Sequence, residues 1–275
     1  MAIKSILLAY SGESASSGAL HLAIQMARKY NAHLTGVVSH GPALSEVKYN
    51  RYMGQQLLDL LHSRDAEAVA TLRQGFEDKT KAELPEGAAH FLDLETRPDF
   101  TLVEAARAYD IVVMGRRAFE PGHEHFGAKP EQIALDSGRP VILVPHAYSA
   151  EALNEHAVFA WDGKRAAARA LADAMHILET KDLVTVLTVG DVTHDRHQGD
   201  DIQDLLTRHG IKVNRLTLPK TARSIADTIL DACRDAGAGL LVMGAYEHSA
   251  THEALFGGPT ADILADAHLP VLMSH

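Results

Sequence analysis

The residues with the clearest chemical potential follow an apolar run late in the chain. Gly244 ends that run, and Gly257, Gly258 and Thr260 come shortly before a second apolar segment. Glycines after a strand let backbone N–H groups approach phosphate oxygens, and the N-terminus of a following helix adds partial positive charge. The pattern predicts a phosphate-binding loop in which Thr260 supplies a hydroxyl. The alternative is that the three glycines only form tight turns.

Glu247 lies inside this loop and argues against a phosphate ligand. A carboxylate that faces a triphosphate lowers affinity through like-charge repulsion, unless it points to solvent or a Mg²⁺ ion bridges the two groups. Pro259 favours a helix start but removes one N–H donor. The residues therefore leave two interpretations open, a Mg-nucleotide site and a loop without a ligand.

The chain contains the same pattern twice. Residues 110–146 and 239–275 each have a buried strand that ends in Met-Gly, a glycine-bearing loop, a short helix and a strand entered by proline. The starts of the halves also correspond, since the apolar run before Ser11-Gly12 matches the one before Asp162-Gly163. A repeat of this kind predicts two homologous domains in tandem. We place them at residues 1–146 and 152–275.

Strand and helix patterns alternate along both halves. We expect strands near 3–10, 33–38, 88–94, 110–114, 141–145, 157–161, 183–189, 212–218, 239–244 and 270–274. We expect helices near 164–178, 200–209, 221–236 and 259–268, and a long helix or helical pair within Ser45–Glu83. Short continuous apolar runs are typical of parallel strands covered on both faces. The fold class is therefore α/β, with two tandem Rossmann-like domains, each an open, mostly parallel five-stranded sheet with helices on both faces.

Taken together, these features resemble the universal stress protein family, as a tandem pair that covers essentially the whole chain. The resemblance rests on the strand ends Trp161-Asp162-Gly163 and Val242-Met243-Gly244, the loop AYEHSATHEALFGG, and the ending Leu269-Pro270-Val271-Leu272. Nucleotide-binding members carry G-x-x-G, nine residues, and then G-[ST] after strand 4. The resemblance implies stress-linked regulation, dimerisation through the last strand and, in some members, bound ATP.

The family's site residues can be carried over one by one. Gly244 and Gly257 match the first and third glycines, whereas Glu247 stands at the second and Gly258 at the usual Ser or Thr. By resemblance, Asp162 holds the nucleoside, and the backbone of Val189, at the end of strand 2, reads adenine. The implied ligand is ATP with Mg, bound in the second domain. The candidate residues are Asp162, Val189, Met243, Gly244, Glu247, Gly257, Gly258 and Thr260.

The first half carries a degenerate copy of the same site. Ser11 stands where the second half has Asp162, and Ala118 and Ala128 replace family positions in the loop. We expect this half to serve packing, although Arg116 and its neighbour Arg117 can meet an anion. Two histidine clusters, His123-Glu124-His125 and His194-Asp195-Arg196-His197, contain metal-ligand residue types. Because the chain has 17 histidines, we attribute both clusters to chance and expect no metal site.

Composition and motifs argue against several functions. A net charge of −10 is unsuited to nucleic-acid binding, which needs clustered Lys and Arg. Neither G-x-x-x-x-G-K-[ST] nor G-x-S-x-G is present, and Ser11–Ser16 lacks the second glycine and the Asp of the S-G-G-x-D-S pyrophosphatase loop. We therefore expect a binding protein rather than an enzyme. The alternatives are an ATP-hydrolysing or adenylating enzyme and a partner-binding module without nucleotide.

The sequence also suggests where the protein resides. No apolar stretch approaches the roughly 18 residues of a membrane span, and no signal-peptide pattern opens the chain. The one cysteine, Cys233, reads as a small apolar residue on a helix. We expect a cytoplasmic protein.

The last strand of each half predicts how the domains associate. Val141–Pro145 and Val271–Ser274 are short and apolar, and either would expose unpaired N–H and C=O groups if left at a sheet edge. The linker Ala147–His156 spans at most about 33 Å when fully extended, which lets the halves face each other. We expect the two strands to pair antiparallel as an internal pseudo-dimer, and whole chains to form a homo-oligomer.

Overall fold

The computed structural model describes residues 3–11, 13–40, 55–95, 100–116, 130–190, 201–245 and 259–275, and it shows an α/β protein. The elements of the first half are β1 (Ser5–Ala9), α1 (Glu13–Tyr30), β2 (His33–His40), α2 (Gln55–Glu83), β3 (Ala89–Glu95), α3 (Leu102–Ala106), β4 (Ile111–Gly115), α4 (Pro130–Asp136) and β5 (Val141–Val144). Those of the second half are β6 (His156–Ala160), α5 (Arg165–Leu178), β7 (Leu183–Val189), α6 (Ile202–Arg208), β8 (Val213–Leu218), α7 (Ile225–Asp235), β9 (Leu240–Gly244), α8 (Pro259–Asp266) and β10 (Val271–Ser274).

The strands follow the apolar runs of the sequence, and β7 has the predicted bounds. Two helices differ from the prediction. Helix α7 begins at Ile225 rather than near residue 221, because the Ser224 hydroxyl accepts the Asp227 N–H at 2.9 Å and caps the helix there. Helix α3 was not predicted, although Thr101 and Glu104 form a capping box whose T-x-x-E pattern is visible in the sequence.

The long segment predicted to be helical in the first half is one continuous helix over its described part. Helix α2 contains 29 residues, and residues 45–54 of the predicted segment lie outside the described ranges. Phe76 of this helix is fully buried, and its ring packs against Gly36 of β2. A Cβ added at Gly36 would lie only 2.5 Å from a ring carbon. Glycine at position 36 therefore lets α2 lie close against the sheet.

The strands of the described chain form one continuous ten-stranded sheet. Its order is β3-β2-β1-β4-β5 in the first half and, continuing across the sheet, β10-β9-β6-β7-β8 in the second. Neighbouring strands are parallel except at the centre, where β5 and β10 pair antiparallel with Ile142 opposite Leu272. The predicted pairing of the two last strands is thus confirmed.

Each face of the sheet is covered by a hydrophobic layer that spans both halves. One layer contains Ile142 and Leu272 together with buried residues of α1 and α5. The other contains Leu143 and Val271 together with α4 and α8. Successive strand residues point to opposite faces, so the seam contributes to both layers. The two halves therefore share both layers instead of having separate cores.

The linker between the halves is held against helix α1. Gln25 on that helix donates from its amide to the Ala150 carbonyl at 2.6 Å and accepts the Tyr148 hydroxyl at 3.2 Å. At the far end of the linker, the Lys29 ammonium lies 2.7 Å from the Glu155 carboxylate. These contacts make the linker a fixed part of the inter-half interface.

The same carboxylate also binds a lysine of the second half. The Lys181 ammonium lies 3.5 Å from Glu155 and donates to the Asn154 carbonyl at 2.5 Å, and its side chain is only 5% exposed. Burial lowers the pKa of Lys181, and the nearby Glu155 carboxylate partly opposes this effect. Glu155 therefore joins a lysine from each half, which adds a polar connection beside the apolar seam.

Two further expectations from the sequence concern Cys233 and membrane-spanning helices. Cys233 on α7 is fully buried, and burial raises the pKa of its thiol to about 12, so it acts as a small apolar residue. Among the described residues, none of the helices combines the length and apolar character that crossing a bilayer demands.

The seam can be tested by placing a charge at its centre. We expect Leu272→Glu to lower the free energy of unfolding by on the order of 3 kcal/mol or more, since Leu272 has no exposed surface and its replacement buries a carboxylate. Limited proteolysis should then cut within residues 147–154, which are protected while they lie against α1. Thr217→Glu, an exposed site on the outer strand β8, is the matched control. Equal protection of the linker in both variants would contradict the proposed importance of the seam.

Candidate functional site

The candidate site of the second half lies at the carboxyl edge of β7, β6 and β9. The chain leaves β6 towards β7 on one side and later returns to β9 on its other side, so the strand order reverses between β6 and β9. In open parallel sheets, ligands bind beyond the strand ends at this kind of position. Asp162 follows β6 after Trp161, Val189 ends β7, and Met243-Gly244 ends β9. The structure thus brings four of the eight candidate residues to one edge.

Asp162 forms the turn that connects β6 to α5. Its Oδ1 accepts the Lys164 N–H at 3.0 Å, and Gly163 between them has a φ of 79°, a value that glycine adopts at little cost. The Lys164 ammonium lies 4.0 Å from Oδ2. Because the side chain of Asp162 remains 56% exposed, a ligand can still approach its carboxylate.

Gly244 has a packing role that the sequence does not reveal. A Cβ at this position would lie 2.5 Å from the Ala166 carbonyl carbon and 2.5 Å from the Ala167 nitrogen, at the start of α5. Real Cβ atoms do not come this close to backbone, so glycine is required for β9 and α5 to pack at this distance. The glycine is therefore explained without a ligand, and its side-chain-free surface faces α5.

Met243 and Val189 differ in what they can offer a ligand. The Met243 side chain is buried in the hydrophobic layer that contains α7 and α8, which leaves its backbone for any polar contact. Val189 is half-buried at the end of β7. Gly190 follows with a φ of 85°, and its N–H is taken by the Leu218 carbonyl at 2.8 Å. Both residues therefore present mainly backbone groups to this edge.

The other four candidate residues fall into two groups. Glu247, Gly257 and Gly258 lie outside the described residues. Thr260 is half-buried in the first turn of α8, the helix that covers the opposite face of the sheet from α5. Ala245 is the first residue after β9, and its N–H donates to the Ser274 carbonyl at 2.8 Å. This bond fixes the direction in which the chain leaves the strand.

Two polar residues at this edge were missed by sequence reasoning. The Arg165 guanidinium lies 3.4 Å from His275 Nε2, and His275 Nδ1 lies 3.0 Å from the Ala245 carbonyl oxygen. Arg165 follows Asp162 by three positions, so a basic residue after the Asp-Gly turn was the available signal. The position of His275 depends on the pairing of β9 with β10, which no local pattern reveals.

The corresponding edge of the first half is arranged differently. Arg116, which follows β4, donates from its guanidinium to the Ala265 carbonyl in the last turn of α8. This contact ties the first half to the second, and a cation is favourable at a helix C-terminus. Arg116 therefore has an interdomain role. The other first-half residues named from the sequence, Arg117, Ala118 and Ala128, lie outside the described residues.

The part of the chain that the structure describes contains no group of three or more His, Cys, Asp or Glu side chains suited to a metal ion. The two histidine clusters named from the sequence, residues 123–125 and 194–197, lie outside these ranges. His33 and His90 do form a pair, with Nε2 and Nδ1 2.6 Å apart, and burial together with the charge of His33 lowers the pKa of His90.

The chain matches known proteins along both halves. The model of the Universal stress protein family matches residues 2–145 and again residues 154–275. A universal stress protein of a Synechocystis strain is 26% identical over 172 residues, which cover 60% of this chain and 57% of that relative. The chain thus spans little more than half of this relative's length.

Solved structures show a related fold. A universal stress protein from Archaeoglobus fulgidus has a TM-score of 0.69 at 15% identity, over 98% of this chain and 95% of its own. A universal stress protein in complex with cAMP is 20% identical over 52% of this chain and 98% of its own, with a TM-score of 0.37.

The packing role of Gly244 predicts a stability defect. We expect Gly244→Ala to lower the free energy of unfolding by roughly 2–3 kcal/mol, because the new methyl group forces α5 away from β9. Gly210→Ala is the control, since a Cβ there meets nothing within 4 Å and only the φ of +75° is unfavourable. Urea denaturation of both variants measures the difference. A loss in Gly244→Ala no larger than that in Gly210→Ala would show that β9 and α5 are not in this tight contact.

Proposed function

The chain belongs to the universal stress protein family, and from this premise we propose that it is a stress-response binding protein with one adenine-nucleotide site, in its second domain. The two domains are residues 1–146 and 152–275. The nucleotide is ATP with Mg. Asp162 contacts the nucleoside, the backbone of Val189 faces the adenine, and the phosphates lie towards the loop after β9. The loop residues of this proposal are Met243, Gly244, Glu247, Gly257, Gly258 and Thr260.

One observation carries the proposal, the exposed carboxylate of Asp162 at the point where the strand order reverses. A carboxylate there is accessible to ribose or adenine donors, and it is held in place by the Lys164 N–H. The neighbouring Val189 is half-buried at the end of β7, and we assign its backbone to the adenine. These features support a nucleoside-binding edge in the second half.

The first half does not share this feature. Ser11 stands at the position of Asp162, so this position carries a hydroxyl instead of a carboxylate. Arg116, the residue after β4, is engaged with the Ala265 carbonyl. We therefore assign the first domain to packing and to the interface between the halves.

Glu247 is accommodated by the metal ion in this proposal. A Mg²⁺ ion prefers oxygen ligands and binds carboxylates together with phosphates, so it would convert the repulsion into a shared coordination. ATP should consequently bind more weakly when Mg is removed by a chelator.

The proposal also addresses assembly. Single-domain relatives pair through the last strand, and here β5 and β10 already pair within one chain. Association of whole chains into a homo-oligomer must therefore use another surface.

The carboxylate assignment is tested by changing Asp162. Asp162→Asn keeps an oxygen that can accept the Lys164 N–H but removes the charge, and we expect it to weaken ATP binding by about 1–3 kcal/mol, as for loss of a hydrogen bond to a charged group. Isothermal titration calorimetry measures the affinity. Ser11→Ala, the matched change in the first half, should leave binding intact. Wild-type affinity in Asp162→Asn would refute the assignment of this residue.

The rival enzyme function is tested by turnover. We expect phosphate release from ATP far below an ordinary rate of about one per second. In this proposal the exposed carboxylate of Asp162 contacts the nucleoside, away from the phosphates, so it is not placed to act as a general base for hydrolysis. A malachite-green assay over several hours measures the rate. Steady release on the order of one per second that is lost in Asp162→Asn would establish the enzyme instead.

A further inference from the structure

Arg165 is a cation without an acidic partner in the described part of the chain. It is the first residue of α5, and its only hydrogen-bond contact there is with the imidazole of His275 at 3.4 Å. One turn later on the same helix, Arg169 donates to the Asp173 carboxylate at 2.9 Å. The difference is notable in a chain with a net charge of −10, in which acidic partners are abundant. The charge of Arg165 is therefore available to an anion from solution.

The two contacts of His275 determine how it holds the arginine. The Ala245 carbonyl can only accept, so Nδ1 at 3.0 Å must carry the proton. A guanidinium can only donate, so Nε2 must accept from Arg165. The neutral imidazole with its proton on Nδ1 satisfies both contacts at once. His275 thus bridges the Ala245 carbonyl after β9 and the guanidinium of Arg165, and it orients that guanidinium.

This placement puts a positive charge beside the proposed nucleoside contact. Asp162 and Arg165 flank the same turn, and Ala245 is the first residue after β9. The guanidinium fork pairs with phosphate oxygens through two parallel N–H bonds, a geometry that an ammonium does not provide. In the first half, Glu13 and Ser14 stand at the positions of Lys164 and Arg165, so the charge there is reversed.

We propose that Arg165, oriented by His275, contacts the phosphate chain of the bound nucleotide and makes the site selective for nucleotides with several phosphates over the nucleoside. The proposal rests on the nucleotide site described above and adds its specificity. Arg165 touches the ligand, whereas His275 is a positioning residue. The selectivity follows from charge, because each added phosphate increases attraction to the guanidinium while the nucleoside contacts stay the same.

The test compares phosphate-chain length across variants by calorimetry. Adenosine, AMP, ADP and ATP with Mg are titrated into the full chain as wild type, Arg165→Gln, Arg169→Gln and His275→Ala. We expect Arg165→Gln to weaken ATP binding about tenfold and to leave adenosine binding unchanged. His275→Ala should give the same pattern with a smaller effect. Arg169→Gln, the matched loss of one positive charge on the same helix, should bind every ligand as the wild type does.

Each result has a distinct meaning. If the wild type binds ATP and Arg165→Gln binds it equally well, the role of Arg165 is refuted while the nucleotide site stands. An equal loss for adenosine and ATP in Arg165→Gln would also refute it, because the residue would then support the turn rather than the phosphates. If the wild type binds none of the four ligands, the proposed function fails, and the specificity falls with it. An equal loss in Arg169→Gln would reduce the effect to general electrostatics and contradict a specific contact.

Discussion

The antiparallel pairing of β5 with β10 is the constraint on which the rest of the molecule depends. Each strand has only four residues, and each would leave a row of N–H and C=O groups unpaired at the edge of a separate sheet. Their pairing removes both edges and joins two five-stranded sheets into one. It also merges the hydrophobic layers of the halves, so that α1 and α5 contribute to the layer on one face and α4 and α8 to the layer on the other. Neither half can then lose its partner without exposing apolar surface.

This shared interior leaves the carboxyl edges of the two halves free to diverge. The interior constrains buried strand residues, whereas residues just beyond a strand end face loops and solvent. In the first half, this region holds Arg116, whose guanidinium donates to the Ala265 carbonyl of the second half. In the second half, the same region holds Asp162, Lys164 and Arg165 around one turn. The duplicated fold thus supports an interface at one edge and the proposed ligand site at the other.

Much of the fold was accessible from the sequence because it depends on local patterns. Buried parallel strands are short apolar runs. The two last strands, Val141–Pro145 and Val271–Ser274, each follow a proline, and their antiparallel pairing was predicted correctly. Helix ends were less accessible, since α7 begins where Ser224 caps it and α3 depends on a capping box only five residues from its end. Propensity and periodicity locate such helices poorly when they are short.

The candidate site was accessible only in part, for a physical reason. Asp162 could be found because it comes just after a strand, and its position at the switch point depends on topology that the repeat implies. Gly244 was interpreted as a phosphate-loop glycine, yet its contact with Ala166 and Ala167 requires knowledge of how β9 packs on α5. The Arg165–His275 contact joins residues that are distant in the sequence, and it depends on the register of β10 beside β9. Long-range packing of this kind leaves no local signature.

The central claim is that one chain binds one nucleotide, in its second half. Equilibrium dialysis of the intact protein against saturating ATP and Mg counts the bound nucleotides directly, with protein concentration fixed by amino-acid analysis. We predict one ATP per chain, since the position of Asp162 in the second half is occupied by Ser11 in the first. Two ATP per chain, or none, would contradict it.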